Sequence, residues 1–243
     1  MDLLLSINWV AVGQIILIDI LLGGDNAIVI ALACRNLPPK LRKRGILLGT
    51  FGAIAIRVVL IAFAVTLLQV PYLKLLGGAL LFWIGIKLML EDDEGGHGEI
   101  PASDRLFSAV KTIIVADLVM SIDNVIAVAG AAEHAGGEHR MLLVVFGILI
   151  SIPIIIWGST IVLKLMERFP VIVTLGAALL GYIAGGMAVA DSALSSWLNA
   201  DVPSFEIIIP GLGIHFNAIG LLAAALVVCT GKAAMKRRKR IKA

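Results

Sequence analysis

Charge is scarce in this sequence. Of its 243 residues, 15% are Asp, Glu, Lys or Arg and 60% are hydrophobic. A soluble domain carries roughly a quarter charged residues, so an ordinary water-soluble fold is disfavoured and membrane spans are expected. Cysteine is nearly absent too. Cys34 and Cys229 each sit near the end of an apolar run and give neither a metal spacing nor a disulfide framework. The four histidines, His97, His134, His139 and His215, fall in loops or at span ends. Zn and Cu, which favour imidazole and thiolate ligands, are therefore poor fits. Basic charge is local: seven of the 20 Lys and Arg lie between Lys232 and Lys242, and 13 face 17 acidic residues elsewhere. No basic face suited to nucleic acid is visible, so no nucleic-acid partner is expected. The basic tail instead fits the cytoplasmic side of an anionic membrane. Met1 to Trp9 lacks the positive n-region of a secretory signal, and the first apolar run is read as a retained span.

What the chain has in abundance is apolar runs of membrane-crossing length, about 20 residues each. Seven qualify: Trp9–Ala33, Ile46–Gln69, Tyr72–Leu90, Leu106–Ala132, Met141–Leu163, Val171–Ala190 and Gly211–Thr230. An all-α polytopic membrane protein of seven transmembrane helices is expected, as one transmembrane domain over residues 1–230 with a basic cytoplasmic tail at 231–243. Between the runs lie an acidic segment, Glu91–Asp104, and Asp191–Pro210, whose Trp197, Phe205 and Ile207–Ile209 suggest a segment at the membrane interface. Lys and Arg in short loops favour the cytoplasm. Arg35, Lys40, Arg42, Lys43 and Arg44, then Lys164 and Arg168, then the tail, all fall on one side of a seven-span chain. That places the N-terminus outside and the C-terminus inside.

An internal repeat runs through these spans. Asp19-Ile-Leu-Leu-Gly-Gly-Asp25-Asn26 in span one matches Asp117-Leu-Val-Met-Ser-Ile-Asp123-Asn124 in span four at an offset of 98 residues. Leu76-Gly-Gly-Ala-Leu-Leu in span three matches Leu175-Gly-Ala-Ala-Leu-Leu in span six at an offset of 99. Repeat one thus covers residues 9–90 and repeat two residues 106–190, with a seventh helix at 211–230 outside both. Because each copy holds an odd number of spans, the second must be inverted. Inverted repeats are a common transporter plan with the site near the midplane.

The chemistry sits in the carboxylates inside the spans. Asp19, Asp25, Asp117 and Asp123 fall near mid-span. One Asp at a helix centre costs about 2.5–3.5 kcal/mol, and four on the order of 10–14 kcal/mol if ionised and unpaired. Residues seven apart share a helix face, so Asp19 lies with Asn26 and Asp117 with Asn124, while Asp25 and Asp123 lie about 100° away. Gly23 and Gly24 weaken the helix between the first pair, or else serve tight helix packing. Ser121 and Ile122 stand at the matching places in span four, where a break is less expected and Ser121 offers a hydroxyl. Arg57, mid-span in the second run, is the other buried charge, either a structural counter-ion or a gating group, and its equivalent in span five is apolar, near Ile152. One Arg against four Asp leaves a formal −3, which favours a divalent ion or several protons over one monovalent ion. Carboxylate and Asn oxygens are hard donors suited to Mg, Ca and Mn. Met120 beside the second pair is a packing residue or a soft donor that would favour Mn. Asp191, at the outer end of span six, reads as an exit ligand or an end-cap.

The paired segments Gly23-Gly24-Asp25-Asn26-Ala27 and Ser121-Ile122-Asp123-Asn124-Val125 resemble the TerC family of integral membrane proteins, its YjbE-like branch in length, over about Trp9 to Thr230. The resemblance implies manganese export across a bacterial inner membrane, with Asp19, Asp25, Asn26, Asp117, Asp123 and Asn124 as metal residues and Arg57, Gly23, Gly24, Ser121 and Met120 in support. Mn2+ is then a bound substrate ion, with Mg2+ or Ca2+ as the alternatives, and coupling to protons is an option. Expected partners are the divalent cation, the lipid bilayer and, as an option, further copies of the chain.

Enzymatic roles fit worse. An intramembrane aspartyl protease needs a Gly-x-Gly-Asp turn, and position 22 is Leu. A retinal protein needs a Lys in span seven, and Gly211–Thr230 has none. A metal-delivery or stress-resistance partner without transport stays open at this level.

Overall fold

The computed structural model describes residues 24–63, 70–90, 101–134, 140–194, 206–209 and 214–242, with side chains left undescribed at 123–148 and 206–216. The elements in chain order are α1 (Gly24–Cys34), α2 (Pro39–Ala62), α3 (Leu73–Leu90), α4 (Ala102–His134), α5 (Arg140–Arg168), α6 (Val171–Val189), β1 (Glu206–Ile209), β2 (Ile214–Asn217) and α7 (Ala218–Lys242). Five of these helices, α2, α3, α5, α6 and α7, are long and apolar enough to cross a membrane. At 1.5 Å per residue the 33 residues of α4 reach about 50 Å, more than a hydrocarbon core needs.

Two departures from the expected outline concern the C-terminal third. The seventh run does not begin its helix at Gly211. Ile214–Asn217 pairs antiparallel with Glu206–Ile209, in the register Glu206↔Asn217 to Ile209↔Ile214, so the described residues are helical apart from this hairpin. The helix starts only after Asn217, whose Oδ1 accepts the backbone N–H groups of Ile219 (2.9 Å) and Gly220 (3.1 Å), as an N-cap does. The basic segment 231–243 is a helical continuation of that span as far as Lys242. Trp197, Phe205 and the acidic loop with His97 lie outside the described residues.

Small residues set how closely the helices approach. A Cβ on Gly78 would stand 2.6 Å from the Ala184 carbonyl oxygen, and one on Gly185 would stand 2.8 Å from the Gly220 Cα. Backbones of α3, α6 and α7 therefore touch directly, the packing that membrane helices favour where no hydrophobic force separates protein from lipid. Gly45, Gly49 and Gly52 of α2 face Leu106, Ile113 and Ile114 of α4, so these two helices run parallel. The interior is apolar, built on Val29, Leu32, Leu81, Ile84, Ile113, Leu180 and Met187. Large apolar side chains also cover the outside: Val59, Leu76, Trp83, Trp157, Leu175 and Leu222 are exposed, as a lipid-facing surface requires.

The helix ends sort into two faces. On one, Arg35 Nη2 donates to the Leu88 carbonyl (2.6 Å) and Arg42 donates to the Leu37 and Arg35 carbonyls (both 2.9 Å) while pairing with Glu167. These contacts gather the α1–α2 loop, the end of α3 and the end of α5, and Gly231 of α7 packs on Met89 beside them. On the other face stands Asp191. Its Oδ1 accepts from the N–H of Tyr72 (3.1 Å) and Ala193 (2.9 Å), its Oδ2 from Lys74 (3.1 Å) and Leu75 (3.2 Å). Of the two roles expected for Asp191, the structure supports the cap, extended to the unpaired first N–H groups of α3. Tyr72 there has a φ of 65°, a left-handed conformation that costs a non-glycine residue roughly 1–2 kcal/mol, and its N–H reaches Asp191 from it.

Burial pushes the Asp191 carboxyl up, but the N–H groups of Ala193, Leu75, Tyr72 and Lys74 outweigh it and hold the carboxyl below its ordinary value. A group depressed on folding contributes its stability above the unfolded value, near pH 4, and loses it as pH falls further. Asp191→Ala should cost about 1–2 kcal/mol at pH 7, and the gap to the parent should narrow below about pH 4. Thermal unfolding in detergent at pH 7 and pH 3 measures both.

Candidate functional site

Gly24, Asp25 and Asn26 open α1 as described. The Asp25 Oδ1 accepts the Asn26 N–H at 2.8 Å. No described atom lies within 4 Å of a Cβ placed on Gly24. Asn26 is 3% exposed, and neither end of its side-chain amide has a hydrogen-bond partner among the described residues. A buried amide without partners costs about 1–3 kcal/mol, so this one stands out as unmet binding capacity.

Across from α1, α2 brings Arg57 to α4. The guanidinium Nη2 pairs with Asp117 Oδ1, and Nε donates to Ser121 Oγ at 3.1 Å. Ser121 in turn donates to Asp117 Oδ2 at 3.1 Å. Asp117 and Ser121 are four apart on a helix that runs unbroken through both, so they share a face. All three are buried, Arg57 and Asp117 at 4% exposure and Ser121 at none. Helix α1, which carries Asp25, packs against both α2 and α4, so the three helices meet around this pair.

The expected site residues thus divide. Arg57, Asp117 and Ser121 form one hydrogen-bonded cluster, and Asp25 and Asn26 lie on α1, which packs against both α2 and α4. Met120 sits in the apolar cluster with Val29 and Ile113, the packing role. Asp19 and Gly23 lie outside the described residues, as do the side chains of Asp123 and Asn124. Among the described residues no three His, Cys, Asp or Glu gather as a ready metal cage. Sequence reading missed that Ser121 joins the ion pair, although its spacing of four from Asp117 was visible. It also missed Thr50, whose buried hydroxyl has no partner among the described residues.

Removing one member of a buried ion pair strands its partner and costs about 3–5 kcal/mol. Arg57→Met and Asp117→Leu should each lower stability by that order, and the double variant by less than their sum. Thermal unfolding of the four proteins in one detergent checks the coupling.

The geometry can now be set beside known proteins. Residues 5–239 match the family described as "Integral membrane protein TerC family". The membrane protein YjbE of Bacillus subtilis (strain 168) is 45% identical over 199 residues, 82% of this chain and 88% of YjbE. The membrane protein YceF of the same organism is 27% identical over 193 residues, 75% of this chain and 72% of YceF. The inner membrane protein YgdQ of Escherichia coli (strain K12) is 28% identical over 178 residues, 67% of this chain and 73% of YgdQ. No solved structure matches. With a match over nearly its whole length and several apolar helices, the chain is a multi-pass integral membrane protein of the TerC family.

Proposed function

We propose that the chain moves a divalent cation through the membrane, Mn2+ in its family setting, out of the cytoplasm and without enzymatic chemistry. The observation that carries this is the buried cluster of Arg57, Asp117 and Ser121, on helices that pack against α1 with its Asp25 and buried Asn26. Ionisable groups inside a membrane face a pathway or one another, and hard oxygen donors suit Mn, Mg or Ca. The unpartnered Asn26 amide beside Asp25 adds a neutral oxygen of the same kind. Asp19, Asp123 and Asn124 complete the donor set in this reading, and Asp117 joins it once released from Arg57.

Seven spans in two inverted halves form the architecture of this proposal. Helix packing supports it. Exchanging α1, α2 and α3 for α4, α5 and α6 turns the α2–α4 contact into the α5–α1 contact, and both are extensive. It turns the α3–α4 contact into α6–α1, and both are present, while α1–α4, α2–α5 and α3–α6 map onto themselves. Gly77 of α3 faces Val119 of α4, and its repeat partner Gly176 of α6 faces Ile28 and Leu32 of α1. The face that collects Arg35, Arg42 and Glu167 also carries the other loop cations and the end of α7, so the positive-inside rule assigns it to the cytoplasm. The N-terminus is then outside and the membrane the bacterial inner membrane.

Single cysteines replacing Lys40 and Gly95, in a chain with Cys34 and Cys229 changed to Ser, should label from the same side. Labelling from opposite sides excludes the inverted-repeat topology. Transport itself is tested in proteoliposomes holding a Mn2+-sensitive dye. The parent should quench the dye, and Asp25→Asn and Asp123→Asn should abolish quenching while staying folded. Because protons compete for carboxylate oxygens, Mn2+ affinity should fall as pH falls. Quenching no faster than in empty vesicles would leave metal delivery without transport as the better reading.

A further inference from the structure

Each oxygen of Asp117 is engaged by a neighbour, one by the Arg57 guanidinium, which also neutralises its charge, and one by the Ser121 hydroxyl. A metal ligand needs a carboxylate lone pair directed at the ion. A divalent cation held between Asp25 and Asp117 would also bring two positive groups close together in a poorly screened interior, where Coulomb repulsion is strong. Beside Asp25, meanwhile, the Asn26 amide is 3% exposed and without a partner among the described residues. The Asp117 carboxylate is charge-paired, and the Asn26 amide is unsatisfied among the described residues.

We propose, on the divalent-cation reading above, that Arg57 and the transported cation exclude one another at Asp117: the guanidinium holds the carboxylate in the empty state and yields it when the cation docks. Asp117 is then compensated in both states, which answers how so buried a carboxylate survives without its cargo. Ser121 gives the displaced guanidinium a place to stay, since its hydroxyl oxygen already accepts Arg57 Nε and keeps acceptor capacity when Asp117 turns to the metal. Among the described residues the second half shows no such device. Ile152 and Ile155 of α5, near the position equivalent to Arg57, are buried and apolar. Arg57 is thus a positioning residue that sets affinity and release, and each chain has one internal competitor for its cargo on α2.

A competitor weakens binding and hastens release. Removing it in Arg57→Gln should tighten Mn2+ binding by about tenfold or more, with KM and kcat both lowered in vesicles. Mn2+ should raise the unfolding temperature of Arg57→Gln more than that of the parent, and the excess should vanish in Arg57→Gln/Asp117→Asn. A purely structural arginine would give no cation-specific gain. Equal or weaker Mn2+ binding by folded Arg57→Gln, with the parent binding, overturns this proposal and leaves the transport reading standing. Failure of the parent to bind Mn2+ by calorimetry overturns both. Should Arg57→Gln not fold unaided, folded protein should be recovered when it is purified in Mn2+ but not in Na+, and recovery in neither overturns the proposal.

Discussion

The placement of one guanidinium governs much of this structure. Arg57 enters a region where an unpaired charge is expensive, so α2 must sit at a height and rotation that deliver it to Asp117. Gly45, Gly49 and Gly52 make that possible by letting α2 lie directly on the Leu106, Ile113 and Ile114 side chains of α4. Larger residues there would push the helices apart and lengthen a contact that depends on close geometry. The ion pair and the glycines therefore specify the same register, one electrostatically and the other sterically.

Helix ends are fixed by a related economy of unpaired backbone groups. At one face, Arg35 satisfies the Leu88 carbonyl near the end of α3, and Arg42 satisfies Leu37 and Arg35 while holding Glu167. At the other, Asp191 satisfies three N–H groups around the start of α3. Helix α3 is thus held at both ends by charged residues from other segments. Between those ends it presents Gly78 to α6 and Trp83 to lipid, with Lys87 lying 5.6 Å from the Trp83 ring centroid.

The sequence made spans α3 and α6 legible almost to the residue, because long apolar runs bounded by Pro and charge leave little choice. It located the α7 span but not its start, since Ile214–Asn217 is as apolar as a helix turn and only pairing with Glu206–Ile209 decides otherwise. Asp25, Asp117 and Arg57 could be singled out by their cost in lipid, each on its own helix. Their meeting could not, because residues 60 apart share a site only through the packing of α2 on α4. Ser121 shows the boundary well. Its spacing from Asp117 was readable, whereas its bond to Arg57 depends on a second helix.

The inverted-repeat architecture proposed above would carry a physical problem that these side chains address. Two identical halves would give inward- and outward-facing states of equal energy, with nothing intrinsic to favour either. This chain repeats its Asp-Asn pairs but not its arginine. Arg57 joins α2 to α4, whereas in the related pair α5 and α1 the small residues Gly158 and Ala27 face one another. One helix pair is therefore tied by charge and hydrogen bonds and the other by apolar contact. A cation that competes for Asp117 acts on the first tie alone. On the proposed reading, motion of the halves would be sensitive to cargo on one side of the pseudo-axis: the repeat would supply the two states, and the unrepeated Arg57 would make their balance depend on what is bound.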